Sequence, residues 1–360
     1  MISQEKNQKR RMFLIDILRV LCAILIYLRH SVTMYGCTYG HFLDDFFIQI
    51  TSPVMTCFFI LSGFSMHYQH RLEETTGNWT RSFLKKRLIT IMPSYLLVVL
   101  IWPLVYQADF KKWALLLPVD LLGIQTSYHT LFGILHNGGT WFVSCMLFCY
   151  VCYPIMKCVV GSTGKWTPWN VLLITHLVLM YSNVIIPAFS LDRLYSNPIA
   201  RAGEFLIGVS FSEIVFRERT EDIDLKRKKK GRLVLAFLLV CGISIIIALY
   251  DKADYKMMLY GYLVIPIVLV VLFVATLIPS PKLEKSKILA ALSGMSYQFF
   301  LVQLFLWDLS TWVLQQINMN GNTAKFTISF ILCTSISFII WKYYDKPIRR
   351  LLNRRISLNV

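Results

Sequence analysis

The sequence predicts an all-α, polytopic membrane bundle of about ten transmembrane helices, forming one unit over residues 1–360. Three observations predict it. Hydrophobic residues make up 56% of the chain and charged residues only 16%, with a mean hydropathy of +0.55, far from the composition of a soluble domain. The apolar residues gather into runs of about 20, the length that crosses a ~30 Å hydrocarbon core at ~1.5 Å per residue. The basic residues, finally, stand between alternate runs instead of being spread along the chain.

Taken in order, a polar tail (1–12) precedes runs near 13–35, 46–68, 87–106, 141–160, 170–189, 199–216, 232–250, 257–278, 288–315 and 325–345, and a basic tail (346–360) follows. The tail Met1 to Arg11 leads into a run without a small-residue cleavage site, so the first run is an uncleaved span. Both tails and the even connections hold Lys6 to Arg11, Arg71, Arg81, Lys85 to Arg87, Lys157, Lys165, the cluster Arg217 to Arg232, Lys282 to Lys287 and Lys346 to Arg355. The odd connections hold only Lys111, Lys112, Arg193, Lys252, Lys256 and Lys325. By the positive-inside rule both termini are cytoplasmic in a multi-pass plasma-membrane protein. The net charge of +17 is therefore topological, and no nucleic-acid partner is expected. Trp113 to Leu135 is apolar, but a crossing there would invert every later connection; Pro118, Asp120, Gly123 and the polar stretch Gln125 to His129 also interrupt it. It is expected to lie on or dip into the outer face. The nine cysteines show no ligand spacing and read as small buried hydrophobes, so no metal is expected.

Ionisable residues inside the runs are the candidates for chemistry, because charge at membrane depth is costly. Asp16, Arg19, Arg29 and His30 all fall in the first run. Arg19 and His30 are eleven residues apart, about three turns, so they share a helix face ~16 Å apart. Asp16 stands one turn before Arg19, at ion-pair spacing. Further on, Ser62-Gly63 interrupts the second run at a place suited to close helix packing. Lys85-Lys86-Arg87 precedes Pro93 and Tyr95, where the proline kinks the helix. Trp141 follows Gly138-Gly139-Thr140 at the mouth of a run, as an interfacial anchor or a stacking surface. Arg201 and Glu204, three apart, most simply pair. His129 and His136 stand in the outer loop; His41, His67, His70 and His176 receive no role.

Asp16-x-x-Arg19 with His30, Phe58-Phe59-x-Leu61-Ser62-Gly63-Phe64, and Arg87 with Pro93-x-Tyr95 resemble successive signatures of the acyltransferase family 3 membrane proteins. The likeness continues in Gly139-Thr140-Trp141-Phe142 with Tyr153-Pro154, in Pro198-x-x-Arg201 with Glu204-Phe205-Leu206-x-Gly208, and in Gly294-x-Ser296-Tyr297-x-x-Phe300-Leu301. The resemblance implies transfer of an acyl group, most often acetyl from acetyl-CoA, to a hydroxyl of a cell-envelope carbohydrate or related acceptor. His30, Arg19 and Asp16 would then be catalytic, His30 as general base or as acyl carrier. Lys85, Lys86, Arg87, Ser62 and Tyr95 would bind the acyl-CoA donor, and Trp141, Arg201, Glu204, Tyr297 and Gln303 would line the acceptor pocket. The partners implied are membrane lipid, acyl-CoA and the envelope acceptor, with a homo-oligomer left open. Two positions depart from relatives: Thr90 stands where a second arginine is common, and Gln303 where many carry histidine. The same fold forms the membrane half of serine-racemase resistance proteins, so uptake of a small amino acid is the alternative activity.

Overall fold

The computed structural model describes residues 12–105, 110–126, 138–162, 164, 167–188, 194–220, 256–278, 284–319 and 321–358. They form α1 (Phe13–Thr33), α2 (His41–Gln49), α3 (Thr51–His70), α4 (Gly77–Val105), α5 (Phe110–Leu122), α6 (Trp141–Gly161), α7 (Thr167–Ala188), α8 (Pro198–Thr220), α9 (Lys256–Leu263), α10 (Ile265–Leu277), α11 (Lys287–Gln316), α12 (Asn322–Ile339) and α13 (Lys346–Leu358). A π-helical turn, Ile340–Asp345, joins the last two. There is no strand among the described residues.

Six segments are long and apolar enough to cross a membrane: His41–His70, Gly77–Val105, Trp141–Gly161, Tyr260–Leu277, Lys287–Gln316 and Asn322–Arg354. The runs near 13–35, 170–189 and 199–216 form α1, α7 and α8, of 21, 22 and 23 residues, but fall outside that set. In α1 and α8 the reason is visible, since Asp16, Arg19 and Arg29 interrupt the one and Arg201, Glu204, Glu213 and Arg217 the other. The run near 232–250 lies outside the described residues. The architecture is thus an all-helical, multi-pass membrane bundle, with six such spans among the described residues. Within the segment expected to avoid crossing, α5 has 13 residues; at ~1.5 Å each it reaches ~20 Å, too short to span. It stops at Gly123, whose φ of +65° only glycine adopts freely.

The centre of the bundle is the pair α3 and α8, against which α1, α6, α7 and α9 pack. Two glycines set how closely the pair approaches. A Cβ on Gly63 would run into the backbone carbonyl of Phe205, and one on Gly208 into the carbonyl of Ile60. Neither obstacle is a side-chain tip that could swing away, so this is small-residue packing of membrane helices in its strict form. Gly208→Ala should therefore destabilise the protein by about 1–3 kcal/mol. Gly77→Ala, where a Cβ meets nothing within 4 Å, should leave thermal unfolding in detergent close to wild type.

Aromatic packing fixes the rotation of α1. Tyr27, fully buried, stacks on Trp307 at 5.0 Å and contacts Phe299, Phe326 and Phe330 at 5.4–5.6 Å between ring centres. With Tyr27 wedged between α11 and α12, the same stripe carries Asp16, Cys22, Ala23, Ile26 and His30 into the interior. Opposite them, α4 runs for 29 residues through Pro93 and Pro103. Proline at 93 cannot donate to the helix ladder; around it, the Tyr297 hydroxyl donates to the Ile91 carbonyl at 3.2 Å and the Tyr344 hydroxyl to the Pro93 carbonyl at 3.2 Å. These bonds tie the α4 backbone around Pro93 to α11 and to the turn before α13.

Candidate functional site

Polar side chains gather at two levels along α1. At the first level Asp16 and Arg19 pair at 3.7 Å, as their spacing predicts. Each also reaches another helix. Asp16 Oδ1 accepts a 2.5 Å bond from the Ser293 hydroxyl of α11, and Arg19 donates from Nη2 to Ser65 Oγ of α3 at 2.9 Å. Arg19 is therefore turned between helices with its charge balanced, which is what keeps an arginine tolerable at this depth. Ser62, half-buried, lies one turn before Ser65 on α3.

Close by on α4, Arg87 donates from Nη2 to His70 Nε2 at 2.8 Å. Because arginine only donates, that nitrogen accepts, and the proton must sit on Nδ1, which donates to Glu73 at 2.8 Å. Trp79 Nε1 adds a 2.6 Å bond to the same carboxylate, and Lys157 Nζ donates to the Glu73 carbonyl while lying 4.2 Å above the Trp79 ring. Arg87 is thus held in place by an aromatic and acidic bracket, and its Nε is buried with no hydrogen-bond partner. Lys85 and Lys86 are exposed. Of the basic triplet, only Arg87 is directed into the bundle.

At the second level His30 is 8% exposed and faces Gln303 of α11. Neither His30 Nδ1 nor Gln303 Oε1 completes a hydrogen bond, while Gln303 Nε2 donates to the Phe300 carbonyl at 3.2 Å. Arg29 is half-buried, acts electrostatically on both His30 and Tyr195, and has a buried Nε without a partner. Tyr195 in turn abuts the pair Arg201 and Glu204, both 0% exposed. Arg201 Nη1 donates to the two Glu204 oxygens at 2.8 and 2.7 Å, its Nε donates to the Tyr195 carbonyl at 2.8 Å, and the Thr56 hydroxyl donates to Glu204 at 2.8 Å. The guanidinium is enclosed by Phe59, Trp141 and Tyr195 at 5.1–5.6 Å from their ring centres.

Several of the candidate residues make contacts that their sequence positions do not show. Trp141 does not stand open at a mouth: it is buried, 4.9 Å from the Tyr195 ring and beneath Arg201, so it encloses the ion pair. The Tyr95 hydroxyl donates to the Asp120 carbonyl at 2.5 Å and accepts from Gln125 at 3.2 Å, which pins the end of α5 to α4. Tyr297 is committed to the α4 backbone. Sequence reasoning gave no role to His70 or to the network at His67. There Glu213 bonds His67 Nε2 (3.0 Å), Arg71 (3.0 Å) and Arg217 (2.9 Å), and Arg217 continues to the carbonyls of Val160, Ser162 and Gly164 just past α6. A cation capping a helix C-terminus is a brace. His129 and His136 lie outside the described residues. Among the described residues no group of three or more His, Cys, Asp or Glu is placed to hold a metal ion.

The chain is thus a multi-pass helical bundle with an ion pair at one level of α1 and a buried histidine about three turns away. The family model described as Acyltransferase domain matches residues 13–342, nearly the whole chain. The protein belongs to acyltransferase family 3 and is an acyltransferase. No curated protein and no solved structure matches it.

Proposed function

We propose that the protein is an integral membrane O-acyltransferase that moves an acyl group, in the simplest case acetyl, from acyl-CoA on the cytoplasmic side to a hydroxyl of a cell-envelope carbohydrate or related acceptor. The observation that supports this most is the division of α1: Arg19, turned inward to Ser65, and His30, facing Gln303, stand about three turns apart on one helix. Arg19 and Arg87 suit the donor's phosphates, since a guanidinium stays charged and binds phosphate oxygens bidentately. The donor's flexible arm would lie between the two levels. At the far level His30 takes the proton of the acceptor hydroxyl; the hydroxyl oxygen bonds to the thioester carbonyl carbon; the carbon–sulfur bond breaks, and the thiolate leaves to be protonated. Transfer through an acyl-imidazole needs the same group, and His30 Nδ1 is available for either route.

The test is transfer of label from acetyl-CoA to a mixed envelope-glycan acceptor by the purified protein in lipid. Label in an alkali-labile ester on the glycan is the expected result. Acyl-independent uptake of serine into vesicles, with no labelled ester, would replace this reading with the carrier.

A further inference from the structure

Arg349 lies in α13, far along the chain from Arg87, yet the fold lays it against the same face of α4. The link is short and buried. Arg349 Nη2 pairs with Asp345 Oδ2 at 2.6 Å; Ser94 Oγ of α4 donates to Asp345 Oδ1 at 2.9 Å; Gln298 Nε2 of α11 donates to Ser94 Oγ at 3.0 Å. Arg87, Ile91 and Ser94 stand at i, i+4 and i+7, so one face of α4 carries all three. Thr90, beside them, bonds the Lys86 carbonyl and supplies no charge.

The π-helical turn makes this reach possible. Its wider winding, Ile340–Asp345, sets Asp345 fully inside the bundle, and Arg349 follows one turn later. The turn is accommodated by Gly294 of α11, where a Cβ would lie 2.7–2.9 Å from the Trp341 ring. π-turns of this kind recur at functional sites.

Arg349 thus joins Arg87 along one face of α4 through Asp345 and Ser94, and the charges of Arg19, Arg87 and Arg349 all reach Tyr150 of α6. Asp16 balances Arg19 and Asp345 balances Arg349, but Arg87 bonds a histidine and not a carboxylate. Like charges gathered in a medium of low dielectric repel strongly. Arg87 Nε and Arg349 Nε are both buried donors with no acceptor. A ligand that supplied several anionic oxygens would satisfy the charge and the donors together.

We propose that Arg349 is the third arginine of a phosphate-binding chamber formed with Arg19 and Arg87, and that the phosphates it takes are those of the acyl-CoA nucleotide. Acyl-CoA as their source rests on the function proposed above; the alternative source of the same chemistry is an anionic lipid headgroup.

The experiment uses the full chain in phosphatidylcholine nanodiscs, titrated with CoA, comparing wild type with Arg349→Gln, Arg349→Lys and Asp345→Asn. Arg349→Gln should weaken CoA by about tenfold or more, Arg349→Lys should recover part of the loss, and Asp345→Asn, which breaks the same pair but keeps the guanidinium, should stay within about threefold of wild type. In turnover the loss should appear in KM for acetyl-CoA rather than in kcat. Unchanged CoA affinity in Arg349→Gln overturns the proposal. So does equal weakening in Arg349→Gln and Asp345→Asn, which would make Arg349 only a brace for Asp345. If wild type binds no CoA, the acyl-CoA reading is what fails. The chamber is then judged in nanodiscs containing phosphatidylglycerol: thermal stabilisation of wild type that Arg349→Gln loses supports a phosphate site filled by lipid, and equal stabilisation of both overturns it.

Discussion

His30→Ala should lower acyl transfer by about 10²–10⁴-fold, the range expected when a positioned acid–base group is removed. The loss should fall on kcat with little change in the donor's affinity, because the donor-side arginines are elsewhere, Arg19 about three turns away along α1 and Arg87 on α4. His30→Gln is the informative partner. It keeps a hydrogen-bonding side chain of similar length next to Gln303, preserves packing at a position only 8% exposed, and removes the ability to accept and return a proton. Both variants should fold, since the rotation of α1 is set by Tyr27 wedged against Trp307, Phe299, Phe326 and Phe330. Thermal unfolding in detergent, run beside the transfer assay, checks that point. Transfer in His30→Gln at the wild-type rate would end the assignment of His30 as base and as acyl carrier alike.

Which features were legible in the sequence follows from their range. Asp16 with Arg19 and Arg201 with Glu204 are three residues apart, and helical spacing alone places such residues together. Gly63 was legible for the same reason, as a small residue within a membrane run. What periodicity cannot supply is the neighbour that packs on a given face. His70 meets Arg87 across the turn between α3 and α4, Glu213 gathers His67 and Arg71 from another helix, and Ser94 meets Asp345 across 251 positions. Each is a tertiary choice. Trp141 and Tyr95 show the same limit from the other side: a residue at the mouth of a run or beside a proline reads as open to a ligand until the bundle closes over it. Among the described residues α1 and α8 stand outside the set of uniformly apolar spans for a physical reason too, since the charged residues that interrupt them are the ones that assemble the polar clusters.

Arg201→Met should be the most destabilising single change, by about 3–5 kcal/mol, because it leaves Glu204 as an uncompensated buried charge. The environment offers that carboxylate little else. Thr56 would still donate one bond, but both carboxylate oxygens now face Arg201, and the surroundings are the rings of Phe59, Trp141 and Tyr195. The double variant Arg201→Met with Glu204→Met should recover most of the loss, since replacing a buried pair by apolar side chains of similar size is often neutral or better. Stability and activity should then part. Arg201 Nε also holds the Tyr195 carbonyl, and Tyr195 lies within the field of Arg29, next to His30 in the chain. Without that tether the wall shared by the ion pair and the His30 level is no longer fixed, so the double variant should unfold near the wild-type temperature while transferring acyl groups more slowly, with the change in KM for the acceptor and not for acetyl-CoA. Thermal unfolding and two-substrate kinetics on the same preparations decide it. A double variant that is both stable and fully active would make the pair a brace alone, and the acceptor-side roles of Arg201 and Glu204 would fall with it.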